Sequence, residues 1–383
     1  MKRAAESRVF GGHLWIFSNE LHEGFQSFQP GEIVEVVDTK GRSYGVGSIN
    51  PHSLISVRIL SRECKAIGRS FLHAMLERAL ESRSRLIDDC NVCRIVFSES
   101  DFLPGLIVDR FESVTVYQAL TYGMERMRPA VEEWLDSRFA GSTIIAANDS
   151  SMRSLEGLVR ERVQVTGDPI EMSWFRQDGL RLLVDPLKGQ KTGFFLDQRV
   201  NRKLMQSYVR RGDTFLDLFC YSGAFGVYAL QAGARHVTFV DGSRRALELA
   251  GEVSDANGFL SRYSLIEADV FEWIKEQEEQ FDLVSIDPPA LAKNRSKAMT
   301  ALRAYRDLNA RAMKRVKPGG LLFTSSCSGL ISRVNWRNAL EDAAFKSHRR
   351  VRFVAFGTQS PDHPVLAAMP ETEYLKFAVL QVF

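Results

Sequence analysis

Five reactive or hydrogen-bonding side chains end hydrophobic runs in the C-terminal half of the 383-residue sequence: Asp217, Asp241, Asp269, Asp287 and Cys327. Carboxylates accept hydrogen bonds from hydroxyl and amino groups, and a cysteine thiolate is a nucleophile. Strand-like and helical patterns alternate between these positions, which is typical of a mostly parallel sheet with helices on both faces. Because ligands bind at the carboxyl ends of the strands in such sheets, we expect the five side chains to line one cleft.

The first run ends in a tight glycine turn, Asp217-Leu-Phe-Cys-Tyr-Ser-Gly-Ala-Phe-Gly226, and Asp241 follows Asp217 by 24 residues. A carboxylate at that spacing can accept the hydroxyl protons of a ribose. Only Gly223 and Gly226 of the Gly-x-Gly-x-x-Gly fingerprint are present, so a pyrophosphate cradle for a nicotinamide dinucleotide is poorly supported. S-adenosylmethionine has a ribose and an adenine without phosphates, and the pattern favours it. The alternative is a plain turn in which Asp241 caps a helix.

Two further carboxylates complete the predicted strand ends. Asp269 can accept a hydrogen bond from an adenine amino group, or it can cap the next helix. Asp287 precedes Pro288 and Pro289, which fix the backbone and present the carboxylate rigidly. The sequence Asp-Pro-Pro differs from the Asn-Pro-Pro-Tyr pattern of many enzymes that methylate exocyclic amines, so amine methylation is disfavoured.

Cys327 ends the fifth run, in Thr-Ser-Ser-Cys-Ser. A cysteine at such a position is often a small buried hydrophobic residue. Beside a methyl-donor pocket, its thiolate can instead add to carbon six of a pyrimidine. That addition makes carbon five nucleophilic enough to take a methyl group, so the sequence predicts covalent catalysis.

The elements that position these residues fall into three predicted domains. Residues 1–65 contain short strand-like runs separated by turn signals, which predicts a small barrel. Residues 66–180 contain an amphipathic helix followed by strand-like and helical segments, which predicts an α+β domain. Residues 181–383 carry the strand and helix alternation, with Gly233 and Gly258 as helix stops. Its strands are predicted at 214–219, 236–241, 264–269, 281–287 and 320–326.

Composition indicates a folded protein, since 45% of the residues are hydrophobic and 25% are charged. The absence of an 18-residue apolar run and of an N-terminal leader predicts a cytoplasmic protein that does not bind membranes. Five cysteines are an odd number, so they are predicted to be free thiols. Cys90 and Cys93 have metal-knuckle spacing, but no second pair or nearby histidine completes a tetrahedral site, and no metal is predicted.

Charge is distributed unevenly along the C-terminal half. Residues 291–350 contain 14 lysines and arginines and three acidic residues, whereas residues 240–282 contain 11 acidic and four basic residues. A basic segment of this kind predicts binding of a polyanion, and the alternative is a solvated helix face.

The sequence resembles the RlmI-type family, class I S-adenosylmethionine-dependent methyltransferases that form 5-methylcytosine in large-subunit (23S) ribosomal RNA. The resemblance covers nearly the whole chain. It implies an α/β fold in which a Rossmann-like class I methyltransferase domain has a mostly parallel seven-stranded sheet. An N-terminal PUA β-barrel and a central α+β domain precede that domain. The motifs that carry the resemblance are residues 189–199, 217–223, 287–289, 326–328, 362–364 and 373–376.

The resemblance also implies roles for individual residues. Cys327 would be the covalent nucleophile, and Asp287 would hydrogen-bond the target base. Ribosomal RNA would bind through the PUA domain and the basic segment 291–350, and the family leaves room for a homodimer. Contacts to the S-adenosylmethionine cofactor would come from Phe195, Gln198, Arg199, Asp217, Phe219, Tyr221, Ser222, Gly223, Asp241, Gly242, Ser243, Asp269, Val270 and Asp287.

Two departures from the family pattern leave alternatives open. The glycine turn reads Tyr-Ser-Gly-Ala-Phe where Tyr-Thr-Gly-Gly-Phe is frequent, and Ala290-Leu291 replace the usual Lys or Thr followed by Phe. The second departure lies beside the target-base pocket, so methylation of guanine or uracil in RNA is an alternative. From a different class, the chain is alternatively a non-catalytic ribosomal RNA-binding assembly factor.

Overall fold

The computed structural model describes residues 1–292 and 294–383, without the side chains of Ala4 and Arg295. Lys293, one of the basic residues predicted to bind RNA, lies outside the described residues. The chain forms two compact units. The first comprises Met1–Phe175, Val184–Leu196 and Pro361–Thr372, and the second comprises Arg176–Leu183, Asp197–Ser360 and Glu373–Phe383.

The first unit contains two sheets. A four-stranded antiparallel sheet has the order β1-β4-β3-β2, and a five-stranded sheet has the order β5-β6-β7-β8-β9, with only β7 and β8 parallel. These strands are β1 Trp15–Phe17, β2 Glu32–Val37, β3 Ser43–Ile49, β4 Ile55–Ser61, β5 Val92–Phe97, β6 Leu106–Phe111, β7 Val114–Ala119, β8 Thr143–Asn148 and β9 Glu161–Thr166. The helices are α1 Arg3–Phe10, α2 Arg69–Leu86, α3 Tyr122–Arg138 and α4 Ser151–Leu155.

Each sheet of the first unit has its own apolar core. Leu72, Leu76 and Trp134 from the long helices α2 and α3 pack with buried residues of the five-stranded sheet. Ile16 and Ile59 belong to a separate cluster with α1. The predicted boundary at residue 65 falls in the segment between the two sheets, and the boundaries at 65 and 180 stay predictions.

The second unit is built on a seven-stranded sheet of order β14-β13-β12-β15-β16-β18-β17. Its first five strands in that order are parallel, and β18 is antiparallel to both β16 and β17. The strands are β12 Thr214–Leu218, β13 His236–Asp241, β14 Tyr263–Glu267, β15 Phe281–Ile286, β16 Val316–Ser326, β17 Val351–Gly357 and β18 Lys376–Val382. Strands β10 Ser173–Gln177 and β11 Leu180–Val184 form a separate two-stranded sheet.

Helices connect the parallel strands, and their ends follow from local sequence. The Ser243 hydroxyl and the Asp269 carboxylate accept backbone N–H groups at two helix starts, and Gly233 ends a helix with φ +108°. The helices are α5 Arg199–Gln206, α6 Ala224–Ala232, α7 Arg244–Ala256, α8 Val270–Glu276, α9 Ala298–Arg315 and α10 Arg333–Ser347. Short 3-10 turns are Ser18–Glu20, Phe25–Ser27, Ser98–Asp101, Leu196–Gln198, Arg295–Lys297 and Pro370–Thr372.

A core cluster of the second unit lies between the sheet and helices α9 and α10. Trp336 and Tyr305 are fully buried there, against strand residues such as Leu216 and Leu322. A core of this kind fixes the carboxyl ends of the central strands, because strands buried on both faces cannot slip without exposing apolar side chains. The predicted mostly parallel seven-stranded sheet is therefore confirmed. Among the described residues, no helix is long and apolar enough to cross a membrane.

Candidate active site

The turn after β12 is organised around Asp217, which is buried with 2% of its surface exposed. Its Oδ2 accepts the backbone N–H of Gly226 at 3.0 Å, and its Oδ1 accepts the Ser285 hydroxyl at 2.5 Å. Ser285 lies on the adjacent strand β15, so the carboxylate joins two strands and the start of α6. The predicted donor contact Asp217 therefore lies beneath the turn.

Burial raises the pKa of Asp217 to about 7, although the hydrogen bonds from Ser285 and Gly226 oppose that shift. The charges of Asp287 and Asp241 raise the pKa further, so three carboxylates lie near one another at the ends of β12, β13 and β15. A site with this excess of negative charge attracts cations and disfavours phosphate groups.

Replacing Asp217 with Asn is expected to change how stability depends on pH. Between about pH 4 and about pH 7, Asp217 is protonated in the folded state but ionised in the unfolded state. The protonated group therefore stabilises the folded state below this window, and the free energy of unfolding that it contributes is lost as the pH rises through it. We expect the difference in free energy of unfolding between wild type and Asp217→Asn to fall by roughly 4 kcal/mol across it. Urea unfolding over the same pH range measures this. Parallel profiles for the two proteins would contradict the burial explanation.

The backbone of the turn is unusual, because Phe219, Tyr221 and Gly223 all have positive φ, at 59°, 47° and 72°. Left-handed conformation is costly for residues with a Cβ, and such strain is concentrated at functional sites. A Cβ on Gly223 would lie 2.7 Å from Cβ of Ala250, and one on Gly226 would lie 2.2 Å from the Phe239 ring. Glycine at both positions is thus required by packing of the turn and of α6.

Asp241 ends β13 and faces the turn. Its Oδ2 accepts the Tyr221 backbone N–H at 3.0 Å, and its Oδ1 accepts the Ser243 backbone N–H at 2.9 Å. Gly242 and Ser243 are exposed, whereas Ser222 is buried. Because a carboxylate oxygen can accept two hydrogen bonds, both Asp241 oxygens retain acceptor capacity.

Asp269 is exposed and caps α8, with its Oδ1 accepting the backbone N–H groups of Phe271 at 2.8 Å and Glu272 at 3.2 Å. The helix-cap alternative is therefore present in the structure. Val270, the first residue of that helix, is buried. A contact of Asp269 or Val270 with adenine stays a prediction.

The carboxylate of Asp287 is held from two sides. Its Oδ2 accepts an N–H of the Gln198 side chain at 3.0 Å, and its Oδ1 accepts the Ser325 hydroxyl at 2.5 Å. Asn201 donates from Nδ2 to Oε1 of Gln198 at 2.6 Å, which fixes the amide orientation. Sequence reasoning identified Asp287 and Gln198 but missed Ser325 and Asn201. The polar run Thr-Ser-Ser-Cys at the end of β16 was the available signal for Ser325.

Cys327 directly follows β16 and is half-buried. Its Sγ lies 3.9 Å from the carbonyl oxygen of Pro288, the residue after Asp287. The thiol and the Asp287 carboxylate therefore belong to neighbouring strand ends. Cys327 is only partly buried, whereas the alternative of a small hydrophobic core residue implies full burial, and its role as the nucleophile stays a prediction.

The remaining predicted donor contacts divide between the units. Gln198 and Arg199 belong to the second unit, where both are buried and Arg199 begins α5. Phe195 belongs to the first unit, where its ring lies 4.9 Å from Nζ of Lys191. Contact of each of these residues with the cofactor stays a prediction.

Much of the predicted RNA-binding segment is engaged in contacts within the protein. Lys317 pairs with Asp282 at 2.8 Å, and Lys346 pairs with Asp307 at 2.9 Å. The Arg349 guanidinium donates to three backbone carbonyls. The basic residues of the segment that are engaged in ion pairs or carbonyl contacts are Arg306, Arg315, Lys317, Arg333, Arg337, Lys346 and Arg349.

The other four cysteines differ in exposure. Cys93 and Cys220 are buried, and burial raises the pKa of both thiols. Cys64 is exposed and Cys90 is partly buried. Within residues 1–292 and 294–383, no group of three or more His, Cys, Asp or Glu side chains is arranged to hold a metal ion.

Comparison with known proteins agrees with this geometry. Residues 1–62 match the family model of PUA-like domains, and residues 157–369 match that of S-adenosylmethionine-dependent methyltransferases. A ribosomal RNA large subunit methyltransferase I from Shewanella denitrificans is 37% identical over an alignment of 392 residues that covers 100% of this chain and 98% of the relative. The chain belongs to the ribosomal RNA large subunit methyltransferase I family. The predicted PUA-like domain and the predicted methyltransferase domain are confirmed, and S-adenosylmethionine is the cofactor of this family member.

Solved structures share the fold. A Streptococcus mutans protein described as a SAM-dependent methyltransferase has a TM-score of 0.82 at 18% identity, covering 99% of this chain and 98% of that chain. A protein described as a methyltransferase and crystallised with SAH has a TM-score of 0.84 at 19% identity, with the same coverage. Both solved structures therefore share the fold of this family member.

Proposed function

We propose that the protein transfers a methyl group from S-adenosylmethionine to carbon five of a cytosine in large-subunit ribosomal RNA, through a covalent adduct with Cys327. The observation that carries this proposal is the position of the Cys327 Sγ, 3.9 Å from the carbonyl oxygen that follows Asp287. A nucleophile and a carboxylate at neighbouring strand ends match what carbon-five methylation needs. The names of the curated relatives support ribosomal RNA as the substrate.

The residues at the strand ends suit the methyl donor. Bound S-adenosylmethionine supplies an electrophilic methyl group on a positively charged sulfur. The charges of Asp241 and Asp287, which both raise the pKa of Asp217, favour that positive charge and disfavour a pyrophosphate. The Asp241 oxygens have capacity for two ribose hydroxyls beyond the N–H groups they already accept. Gln198, Arg199 and the other predicted donor contacts are proposed to complete the cofactor site.

The chain's own groups carry the remaining chemistry. The Cys327 thiolate bonds to carbon six of a cytosine that has left its stack, and the carbon five–carbon six double bond supplies the electron pair. Carbon five gives this pair to the methyl group as the bond between that methyl group and the donor sulfur breaks, which leaves the donor as a neutral thioether. Asp287 hydrogen-bonds the base and supports a proton at ring nitrogen three. Loss of the carbon-five proton to a base then restores the double bond and expels the sulfur.

Replacing Asp241 with Ala is expected to weaken binding of S-adenosylmethionine by roughly 10²-fold, because two hydrogen bonds to a charged group are lost. Isothermal titration calorimetry with the donor alone measures the change. Glu248→Ala is a matched control, since it removes an exposed carboxylate from the helix that follows Asp241. If Asp241→Ala and the control bind the donor with equal affinity, Asp241 does not contact the ribose as proposed.

RNA binding is proposed to use the PUA-like domain and the remaining basic residues of segment 291–350. Arg303 and Lys314 are exposed on α9, and Arg311 lies between them on the helix. Phosphate contacts of this kind make affinity fall steeply with salt concentration. A homodimer stays a prediction.

Product analysis tests the proposed function. Ribosomal RNA from a strain that lacks this protein is incubated with the protein and S-adenosylmethionine, digested to nucleosides and examined by mass spectrometry. We expect 5-methylcytidine. Methylguanosine or 5-methyluridine would instead assign the enzyme to another base, and absence of donor binding at millimolar concentration would favour the non-catalytic assembly factor.

A further inference from the structure

Lys376 is a buried lysine whose charge interacts with the Cys327 thiol. It has no role in the mechanism proposed above. Only 3% of its surface is exposed, and it begins β18 opposite Ser326 of β16. Its Nζ donates to the carbonyl oxygens of Ser328 at 2.7 Å, Tyr374 at 2.8 Å and Ile331 at 3.0 Å. A lysine has three donor protons only as the ammonium ion, so these three acceptors fit the charged form.

The contacts of Lys376 fix the turn that follows Cys327. Ser328 and Ile331 are both in that turn, and Ile331 also donates its backbone N–H to the Ser328 carbonyl at 3.1 Å. The Ser328 hydroxyl lies 3.0 Å from the Tyr305 hydroxyl and accepts the backbone N–H of Ala292 at 3.4 Å. The chain around Cys327 is therefore held by side chains from β18 and α9.

The charge of Lys376 is not neutralised by the three groups that bind it, because all three are carbonyls. The ionisable groups with which its charge interacts are Cys327, Arg333 and Glu373. Arg333 and Glu373 pair with each other at 2.9 Å, so their effects on Lys376 largely offset each other. Cys327 also interacts electrostatically with Tyr305, whose pKa is raised by burial first and by the charge of Cys327 as well.

We propose that Lys376 is a positioning residue for Cys327, which fixes the turn after the cysteine and favours its thiolate through an uncompensated positive charge. The inference rests on the proposed function, in which that thiolate attacks the base. Burial lowers the pKa of Lys376 to about 8, and the charge of Cys327 opposes that shift. A nearby cation is a general way in which proteins raise the thiolate fraction of a cysteine.

Alkylation of Cys327 tests the proposal without RNA or methyl donor. The full-length protein is treated with iodoacetamide over a range of pH, and the rate at Cys327 is read by peptide mass spectrometry. We expect the pH of half-maximal rate to rise by about one unit in Lys376→Met and in Lys376→Gln, and to stay near the wild-type value in Lys376→Arg. Exposed Cys64, in the first unit, is the internal control and is expected to react equally in all four proteins.

An unchanged profile for Cys327 in a folded Lys376→Met or Lys376→Gln protein overturns the proposal. A second measurement does not require a Lys376 variant, because electrostatic coupling between two sites is reciprocal. In protein with isotopically labelled lysine, NMR titration should show Lys376 losing its proton at a lower pH in Cys327→Ser than in wild type. An identical titration in both proteins overturns the electrostatic part of the inference. Should Cys327→Ser keep its methyltransferase activity, the proposed function fails whatever the alkylation profiles show.

Discussion

Replacing Cys327 with Ser is expected to reduce methyl transfer to RNA by about 10³-fold or more, while the protein stays folded. A serine hydroxyl is scarcely ionised at neutral pH and is a far weaker nucleophile than a thiolate, so addition to carbon six becomes limiting. The half-buried position beside the Pro288 carbonyl accepts a hydroxyl of similar size. Initial rates of methyl incorporation from labelled donor measure the loss.

RNA that contains 5-fluorocytosine separates the covalent step from other causes of lost activity. Fluorine at carbon five cannot leave as a proton does, so the wild-type protein should remain bonded to the RNA and migrate as one species on a denaturing gel. Cys327→Ser should give no such species. Cys64→Ser, which changes an exposed cysteine of the first unit, should react like wild type. Methyl transfer by Cys327→Ser within tenfold of the wild-type rate would falsify the covalent mechanism and the cytosine assignment.

The sequence predicted the strands of the parallel sheet closely. The strand expected at 236–241 is His236–Asp241, and the one expected at 281–287 is Phe281–Ile286. Parallel strands are buried on both faces and therefore appear as continuous apolar runs between turn signals. Gly233 was also predicted as a helix stop and has the left-handed conformation that favours glycine there.

Elements whose stability depends on distant partners were not predicted from the sequence. Strand β17 alternates partly buried and exposed residues at the edge of the sheet and pairs only with β18, which runs antiparallel. Helix α1 has eight residues, a length at which an isolated helix is marginal and packing decides whether it forms. Local periodicity carries little information on either element.

The candidate site shows the same division between local and distant information. The five residues at strand ends were predicted because each follows its own apolar run. The partners of Asp287 were harder to predict, since Gln198 and Ser325 lie 89 and 38 residues away in the sequence. Lys317, one of the basic residues predicted to bind RNA, likewise pairs with Asp282, which lies 35 residues away in the sequence. Net charge over a segment does not reveal which side chains are free to bind a ligand.

Replacing Asp287 with Asn is expected to lower kcat for RNA methylation by about 10²- to 10⁴-fold, the range typical of a lost acid–base group. Asn has the same shape as Asp, so its Oδ1 can accept the N–H of the Gln198 side chain. Its Nδ2 then donates to the Ser325 hydroxyl, which can rotate to accept that hydrogen bond. The variant therefore removes the negative charge and preserves the hydrogen-bond network. Single-turnover rates at saturating donor measure the effect on the chemical step.

Two further variants distinguish a direct role of Asp287 from a general loss of structure. Asp282 lies near the other end of β15 and binds Thr214 and Lys317, so Asp282→Asn is expected to lower thermal stability with little change in kcat. Ser325→Ala removes one hydrogen bond that holds Asp287 and should reduce kcat by roughly tenfold, the effect of about 1.4 kcal/mol. If Asp287→Asn keeps kcat within threefold of wild type, the base contact must come from another group. An equal loss of kcat in Asp282→Asn and Asp287→Asn would instead attribute the effect to destabilisation of β15.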